Sequence, residues 1–239
     1  MRRSGRILAE TIDEVLAAVA PGVSTADLDA VAERRIRAEG AVPSFLGYKG
    51  FTASICASLN DEIVHGIPSP KRVLAEGDLL SLDFGAIWEG YHSDSAVTVF
   101  VGAAPSEEAA RLVKTTEASL DAAIEVIRPG GRLSDIGFAV ESVAGPAGFG
   151  IVREYGGHGI GRALHEDPFI QNWGLPGRGP DLRPGLVVAV EPMLNLGGEE
   201  TRVLADGWTV VTADGSLSAH FEHTIAVTED GPEVLTARH

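Results

Sequence analysis

Residues 79–101 read LLSLDFGAIWEGYHSDSAVTVFV, and this stretch decides the fold. Leu79, Leu80, Leu82 and Phe84 make a buried strand over 79–84. Glu89-Gly90 signals a turn, and 91–101 alternates polar with apolar residues, so the two runs form an antiparallel hairpin. Asp83 ends the first strand and Asp94 lies early in its partner. Two carboxylates on paired strands of an apolar sheet repel, and burying either unpaired would cost several kcal/mol.

The same conflict recurs further along. Glu191 follows four apolar residues in VVAVEPM, and Glu222 stands in SAHFEHTIAV, inside a strand expected over 218–228. One such acid alone reads best as a turn former or an ion-pair partner. Four in core-like strands need positive charge, and the nearest basic residue in those strands is Arg202. Divalent cations are the simplest supply. His158 in YGGHGIG, His165 in LHEDP and His65 in VHGIP offer imidazoles, and the glycines around His158 let the backbone approach something closely. Carboxylates with one histidine suit Mn, Fe(II), Co or Zn, and a second ion about 3.5–4 Å away would make a two-metal hydrolase.

The rest of the chain frames this constellation. Its 239 residues are 44% hydrophobic and 22% charged, an ordinary globular profile. Lysine and arginine total 19 against 34 acids, a net charge of -15, which argues against a general nucleic-acid binder. No run approaches the roughly 20 apolar residues of a membrane span. The N-terminus lacks the apolar core of a signal peptide and reads as an amphipathic helix. The single Cys56 excludes an internal disulfide and fits a reducing cytosol.

Helices are expected over 5–20, from the Ser24 to Asp27 capping box to about 39, and over 105–127 and 133–144. Residues 51–68 read as strand, turn and strand; further strands are expected over 151–155, 186–190 and 208–212, and a loop over 172–185. A weak repeat appears at a spacing of 108 residues. Asp13 meets Asp121, Pro21-Gly22 meets Pro129-Gly130, Asp27 meets Asp135, and Asp83 meets Glu191. It suggests two α/β halves about a pseudo-two-fold axis, with a carboxylate at the same place in each.

Other motifs are weaker. GGHGIG lacks the third glycine and the downstream acid of a dinucleotide fingerprint. His165-Glu166 is not a zincin motif, because Pro168 and Phe169 stand where the second histidine would fall. Cys56 with His65 could suggest a thiol nucleophile, but nothing nearby would lower the thiol pKa.

The chain resembles the bacterial type I methionine aminopeptidases of peptidase family M24. The carrying segments are SFLGYKGF, SICASLNDEIVHGIP, LLSLDFGAIWEGYHSDSA, VREYGGHGIGRALHEDP, LRPGLVVAVEPM, DGWTV and SLSAHFEHTIAVT, collinear over nearly the whole chain. The resemblance implies an α+β pita-bread fold, with two pseudo-two-fold related α/β halves around a central antiparallel sheet. The expected domain is 1–239, with halves of about 5–103 and 104–239. The short N-terminus favours type I over type II.

The resemblance also implies two divalent ions (Co, Mn, Fe(II) or Zn) held by Asp83, Asp94, His158, Glu191 and Glu222. Asp94 and Glu222 would bridge them, Asp83 would complete one ion, and His158 with Glu191 the other. His65 and His165 would contact substrate, and His65, His165 and Glu191 would serve catalysis, with His165 on the oxyanion, His65 near the scissile nitrogen and Glu191 as a proton shuttle. Phe45, Tyr48, Phe51, Cys56, Leu164 and Trp208 would take a methionine side chain. Phe45 and Leu164 stand where family members differ, and Lys49 stands in a variable loop, which implies tuned preference. The implied activity is removal of N-terminal methionine from nascent proteins and peptides, with a small second residue preferred. The expected setting is the cytoplasm, at the ribosome, as a monomer without sequence-specific nucleic acid or membrane. A proline-specific relative, a binding module and a metal-free lyase of the same fold are disfavoured, the first by chain length and the others because all five ligands are present.

Overall fold

The computed structural model describes residues 1–238. Residue 239, the last of the expected domain, lies outside the described residues.

The first helix, α1 (Arg2–Ala18), buries Ile7, Leu8, Ile12 and Val15 along one stripe. It starts before the expected position 5, because Met1 to Gly5 already form a helical turn closed by a 2.8 Å bond from Gly5 N–H to Met1 O. The next, α2 (Thr25–Ala38), opens on the expected capping box between Ser24 and Asp27. After β1 (Val42–Pro43) come β2 (Ile55–Leu59) and β3 (Glu62–Val64), which do not pair with each other: β2 joins the hairpin sheet, whereas β3 pairs with a distant strand.

The hairpin itself is β4 (Leu79–Trp88) and β5 (Tyr91–Phe100), in register from Leu79 opposite Phe100 to Trp88 opposite Tyr91. Asp83 therefore lies inside its strand rather than at the end. Gly85, Ala86 and Ile87 continue the ladder because β5 supplies backbone partners for all of them. Helices α3 (Glu107–Val126) and α4 (Leu133–Ala147) then pack on each other, and α4 runs past 144 to a left-handed cap at Gly148, φ 79°.

The remaining strands are short: β6 (Gly150–Ile151), β7 (Gly157–Gly159), β8 (Glu166–Ile170), β9 (Val187–Val190), β10 (Met193–Asn195), β11 (Thr201–Val203), β12 (Val210–Thr212), β13 (Ser218–His220), β14 (His223–Thr228) and β15 (Gly231–Val234). The strand expected over 218–228 breaks at Phe221-Glu222, where β13 leaves for β10 and β14 for β9. The strand expected over 151–155 stops at Ile151, its last partner on β10 being Leu194. The loop over 172–185 contains no helix or strand.

Every ladder among the described residues is antiparallel. The hairpin sheet and the five-stranded sheet β15-β14-β9-β7-β8 meet at one seam. There Glu222 N–H donates to Ala96 O at 3.0 Å, and Ala96 N–H to Glu222 O at 3.3 Å. Thr224 Oγ1 accepts from Asp94 N–H at 2.8 Å and donates to Asp94 O at 2.7 Å. The helices cover this sheet system, and Ile7, Leu28, Phe84, Leu120, Ile136, Val188 and Ile225 share one core. At the 108-residue spacing Thr25 meets Leu133, the first residues of α2 and α4, and Leu79 meets Val187, the first residues of β4 and β9.

Candidate metal centre

The hairpin register sets two carboxylates on one face. Asp83 lies opposite Ala96, and Asp94 opposite Gly85, so the acids are diagonal neighbours across the ladder. Cys56 of β2 lies opposite Asp83 on its other side. The seam brings Glu222 beside Asp94, with Ser95 Oγ donating to Glu222 O at 2.7 Å. Glu191 follows directly after β9, and Asn172 Nδ2 holds its carbonyl at 3.0 Å.

His158 stands on β7 between β8 and β9. A Cβ on Gly157 would fall 2.2 Å from Ala189 O, and one on Gly159 2.2 Å from Asp167 O. What the glycines admit is thus the neighbouring strands. His158 Nδ1 lies 2.9 Å from Gly159 O. A carbonyl only accepts, so Nδ1 carries the proton and Nε2 turns a lone pair inward. That Nε2 is 3.8 Å from Asp94 Oδ2 and 3.7 Å from Glu191 Oε1. Ligand atoms of Asp94, His158 and Glu222 lie within 4.8 Å of one another, and all three residues are buried.

The electrostatics ask for cations. Burial pushes the Asp83 carboxyl up to about 7. Burial, and then the neighbouring carboxylates, push Asp94, Glu191 and Glu222 well above the ordinary carboxylate range. Asp83 Oδ1, Asp94 Oδ1 and Glu222 Oε1 are buried with no hydrogen-bond donor. Arg202, the nearest basic residue in those strands, is exposed on β11 and forms no ion pair with these acids. Unpaired carboxylate oxygens with one neutral imidazole fit divalent ions of the Mn, Fe(II), Co and Zn group.

One cavity is lined by every residue the sequence singled out: Phe45, Tyr48, Phe51, Cys56, His65, Asp83, Asp94, His158, Leu164, His165, Glu191, Trp208 and Glu222, with Lys49. Its apolar wall is continuous. Phe45, Phe51, Cys56 and Leu164 are buried in one cluster, against which Tyr48 and Trp208 pack, and the Phe51 and Trp208 rings meet edge-on at 5.0 Å. Burial raises the Cys56 thiol well above its usual value, so it is a protonated wall group.

His65, at φ 62°, and the more exposed His165 line the same cavity. Burial lowers the imidazolium pKa of both, that of His165 to about 4. His165 Nδ1 lies 2.9 Å from the Tyr48 hydroxyl, and its ring centroid 4.2 Å from that of His158. A second cleft shares His65, His158, His165 and Glu191, and opens past Tyr155, Glu154 and Phe169. Asn172, Thr224 and His220 were not singled out by sequence. Asn172 sits in a proline- and glycine-rich loop, and Thr224 and His220 carry no spacing signal. No helix among the described residues is long and apolar enough to cross a membrane.

A family model described as metallopeptidase family M24 matches residues 1–229. The chain is 53% identical over 242 residues to "Methionine aminopeptidase 1" of Mycobacterium tuberculosis, covering 99% of this chain and 91% of that protein. It is 51% identical over 236 residues to "Methionine aminopeptidase 1" of Bacillus subtilis, covering 99% and 94%. The crystal structure of methionine aminopeptidase from Thermotoga maritima superposes with a TM-score of 0.97 at 42% identity, covering 100% of this chain and 95% of that one. The prolidase of Pyrococcus horikoshii, at 22% identity and a TM-score of 0.78, shares the fold, and the match spans 61% of its chain.

Proposed function

The chain belongs to metallopeptidase family M24, with its pita-bread α+β fold, and from that premise we propose a methionine aminopeptidase of the bacterial type I kind. It is a hydrolase that removes the N-terminal methionine of nascent proteins and peptides and prefers a small second residue. One observation carries this reading: buried carboxylates without donors share a cavity with an apolar slot. We read the chain as a single domain whose halves meet at the site.

Asp83, Asp94, His158, Glu191 and Glu222 would hold two divalent ions. The ions, when bound, balance the buried acids, make water more acidic and polarise a carbonyl. The chain's own residues do the rest. Phe45, Tyr48, Phe51, Cys56, Leu164 and Trp208 enclose the methionine side chain, whose thioether packs well against aromatic rings. With the Tyr48 hydroxyl donating to His165 Nδ1, His165 carries its proton on Nε2 and donates it to the oxyanion of the scissile carbonyl. His65 hydrogen-bonds near the scissile nitrogen, and Glu191 takes a proton from the attacking water and passes it to the leaving amine, so that a C–O bond forms as the C–N bond breaks. The second cleft lets out the rest of the polypeptide. The setting this chemistry fits is the cytoplasm, at the ribosome, with the enzyme acting as a monomer.

Initial rates on a peptide panel at fixed metal test the reading. Met-Ala and Met-Gly peptides should release methionine; Leu-Ala, Lys-Ala, N-formyl-Met-Ala and Met-Lys peptides should release little. Comparable rates on Lys-Ala and Met-Ala would mark a general aminopeptidase and overturn the slot's assignment.

A further inference from the structure

His220 is buried to 2% exposure, and its Nε2 has no hydrogen-bond partner. It ends β13, opposite Met193 at the start of β10, just after Glu191 and Pro192. Its backbone is tied on both sides, since His220 N–H donates to Thr98 Oγ1 at 2.8 Å and Thr98 Oγ1 donates to His220 O at 2.7 Å. Glu191 is tied as well, through Asn172. Between these anchored segments His220 Nε2 faces Glu191 Oε2 at 3.8 Å.

The other oxygen of the same carboxylate, Oε1, faces His158 Nε2. Glu191 therefore stands between two imidazoles of opposite character. His158 has its proton on Nδ1 and offers Glu191 only a lone pair. His220 Nε2 can carry a hydrogen, and Glu191 Oε2 is the acceptor in front of it. A side-chain movement of about 1 Å brings the pair from 3.8 Å to hydrogen-bond distance.

We infer that His220 is a positioning residue: its Nε2–H donates to Glu191 Oε2 and leaves Oε1 as the oxygen that meets the metal. A ligating carboxylate free to rotate offers either oxygen or both. A fixed donor on one of them selects a single mode, as outer hydrogen bonds do for metal ligands generally. The inference rests on the reading of Glu191 as a ligand.

The test is Mn(II) binding by calorimetry to chelator-stripped protein, with the stripped protein's melting temperature measured alongside. His220→Leu removes the donor, whereas His220→Gln keeps an amide N–H. His220→Leu is expected to bind Mn(II) about 10–100-fold more weakly. Its stripped melting temperature should not fall, because without metal Nε2 stands 3.8 Å from Glu191 Oε2 and has no hydrogen bond to lose. His220→Gln should return the affinity to near wild type. Wild-type affinity in His220→Leu overturns the inference, as does a loss that His220→Gln fails to restore. If His220→Leu does not fold, His220→Gln decides alone: near-wild-type affinity sustains the role and a loss of about tenfold or more removes it. Glu191→Gln, measured beside them, separates the two readings. If it binds Mn(II) like wild type, the ligand reading fails and the inference falls with it. If it binds weakly while His220→Leu is unaffected, only the role of His220 is lost.

Discussion

Asp94 does two things at once. Its backbone is part of the seam, exchanging hydrogen bonds with Thr224 Oγ1, while its carboxylate lies buried beside those of Asp83 and Glu222. Asp94→Asn keeps the backbone bonds and the shape but removes one negative charge from a cluster meant for cations. Turnover should fall by several orders of magnitude and metal binding should weaken, both measured on protein whose fold is checked by circular dichroism. A variant that keeps most of its activity would remove Asp94 from the centre. His165 differs in kind. It lines the cavity from an exposed position and is held neutral, with Tyr48 on Nδ1. His165→Ala should fold and bind metal normally but lose about a hundred- to a thousandfold in kcat, the cost of one oxyanion donor. A fall in metal stoichiometry in the same variant would show that His165 is a ligand instead.

Among the elements, the β4–β5 hairpin acts as the ruler of the site, because its register decides which residues face Asp83 and Asp94. Gly85, opposite Asp94, has no room for a side chain: a Cβ there would lie 2.6 Å from Ser44 Cβ and 2.8 Å from the Phe45 ring. The helices behind the sheet contribute stability rather than chemistry. In α2, Ser24 Oγ accepts from Asp27 N–H at 3.2 Å and Asp27 Oδ2 accepts from Ser24 N–H at 2.9 Å. Ser24→Ala should destabilise the protein by about 1 kcal/mol, the ordinary worth of an N-cap. Urea unfolding followed by circular dichroism would read this, with kcat/KM at 25 °C unchanged. A drop in kcat/KM at full folding would mean that α2 reaches the site.

For the whole molecule, the centre joins segments far apart in sequence, so cation binding and folding are linked. The unfolded chain has no site, and ions that bind only the folded form stabilise it by mass action, by about 2.7 kcal/mol at a hundred times Kd. Adding Mn(II) to stripped protein should raise the melting temperature by several degrees, with the rise growing with concentration, and a chelator should reverse it. A melting temperature indifferent to both would mean that the buried acids are not a cation site. The chain's net charge of -15 includes the carboxylates gathered here, so bound cations would match part of its acidity inside the fold rather than at the surface.

Much of this was written in the linear chain. The capping box of α2, the hairpin turn at Glu89-Gly90 and the apolar stripe of α1 are local signals, set by backbone and side-chain chemistry within a few residues, and the structure has each of them. Acids in apolar strands announced a cation site for a related reason, since burial without compensation is too unfavourable to be accidental. Strands of three residues, such as β10 and β11, are too short to show a period and exist only because a partner strand supplies their hydrogen bonds. The break at Phe221-Glu222 has the same origin: two different partners, β10 and β9, claim the two ends of what reads as one continuous run. Tertiary structure alone decided that His220 faces Glu191 and that Asn172 and Thr224 anchor the acids. Those contacts join residues 19 to 130 positions apart or cross between strands, and no local pattern encodes a distance between segments that only folding brings together.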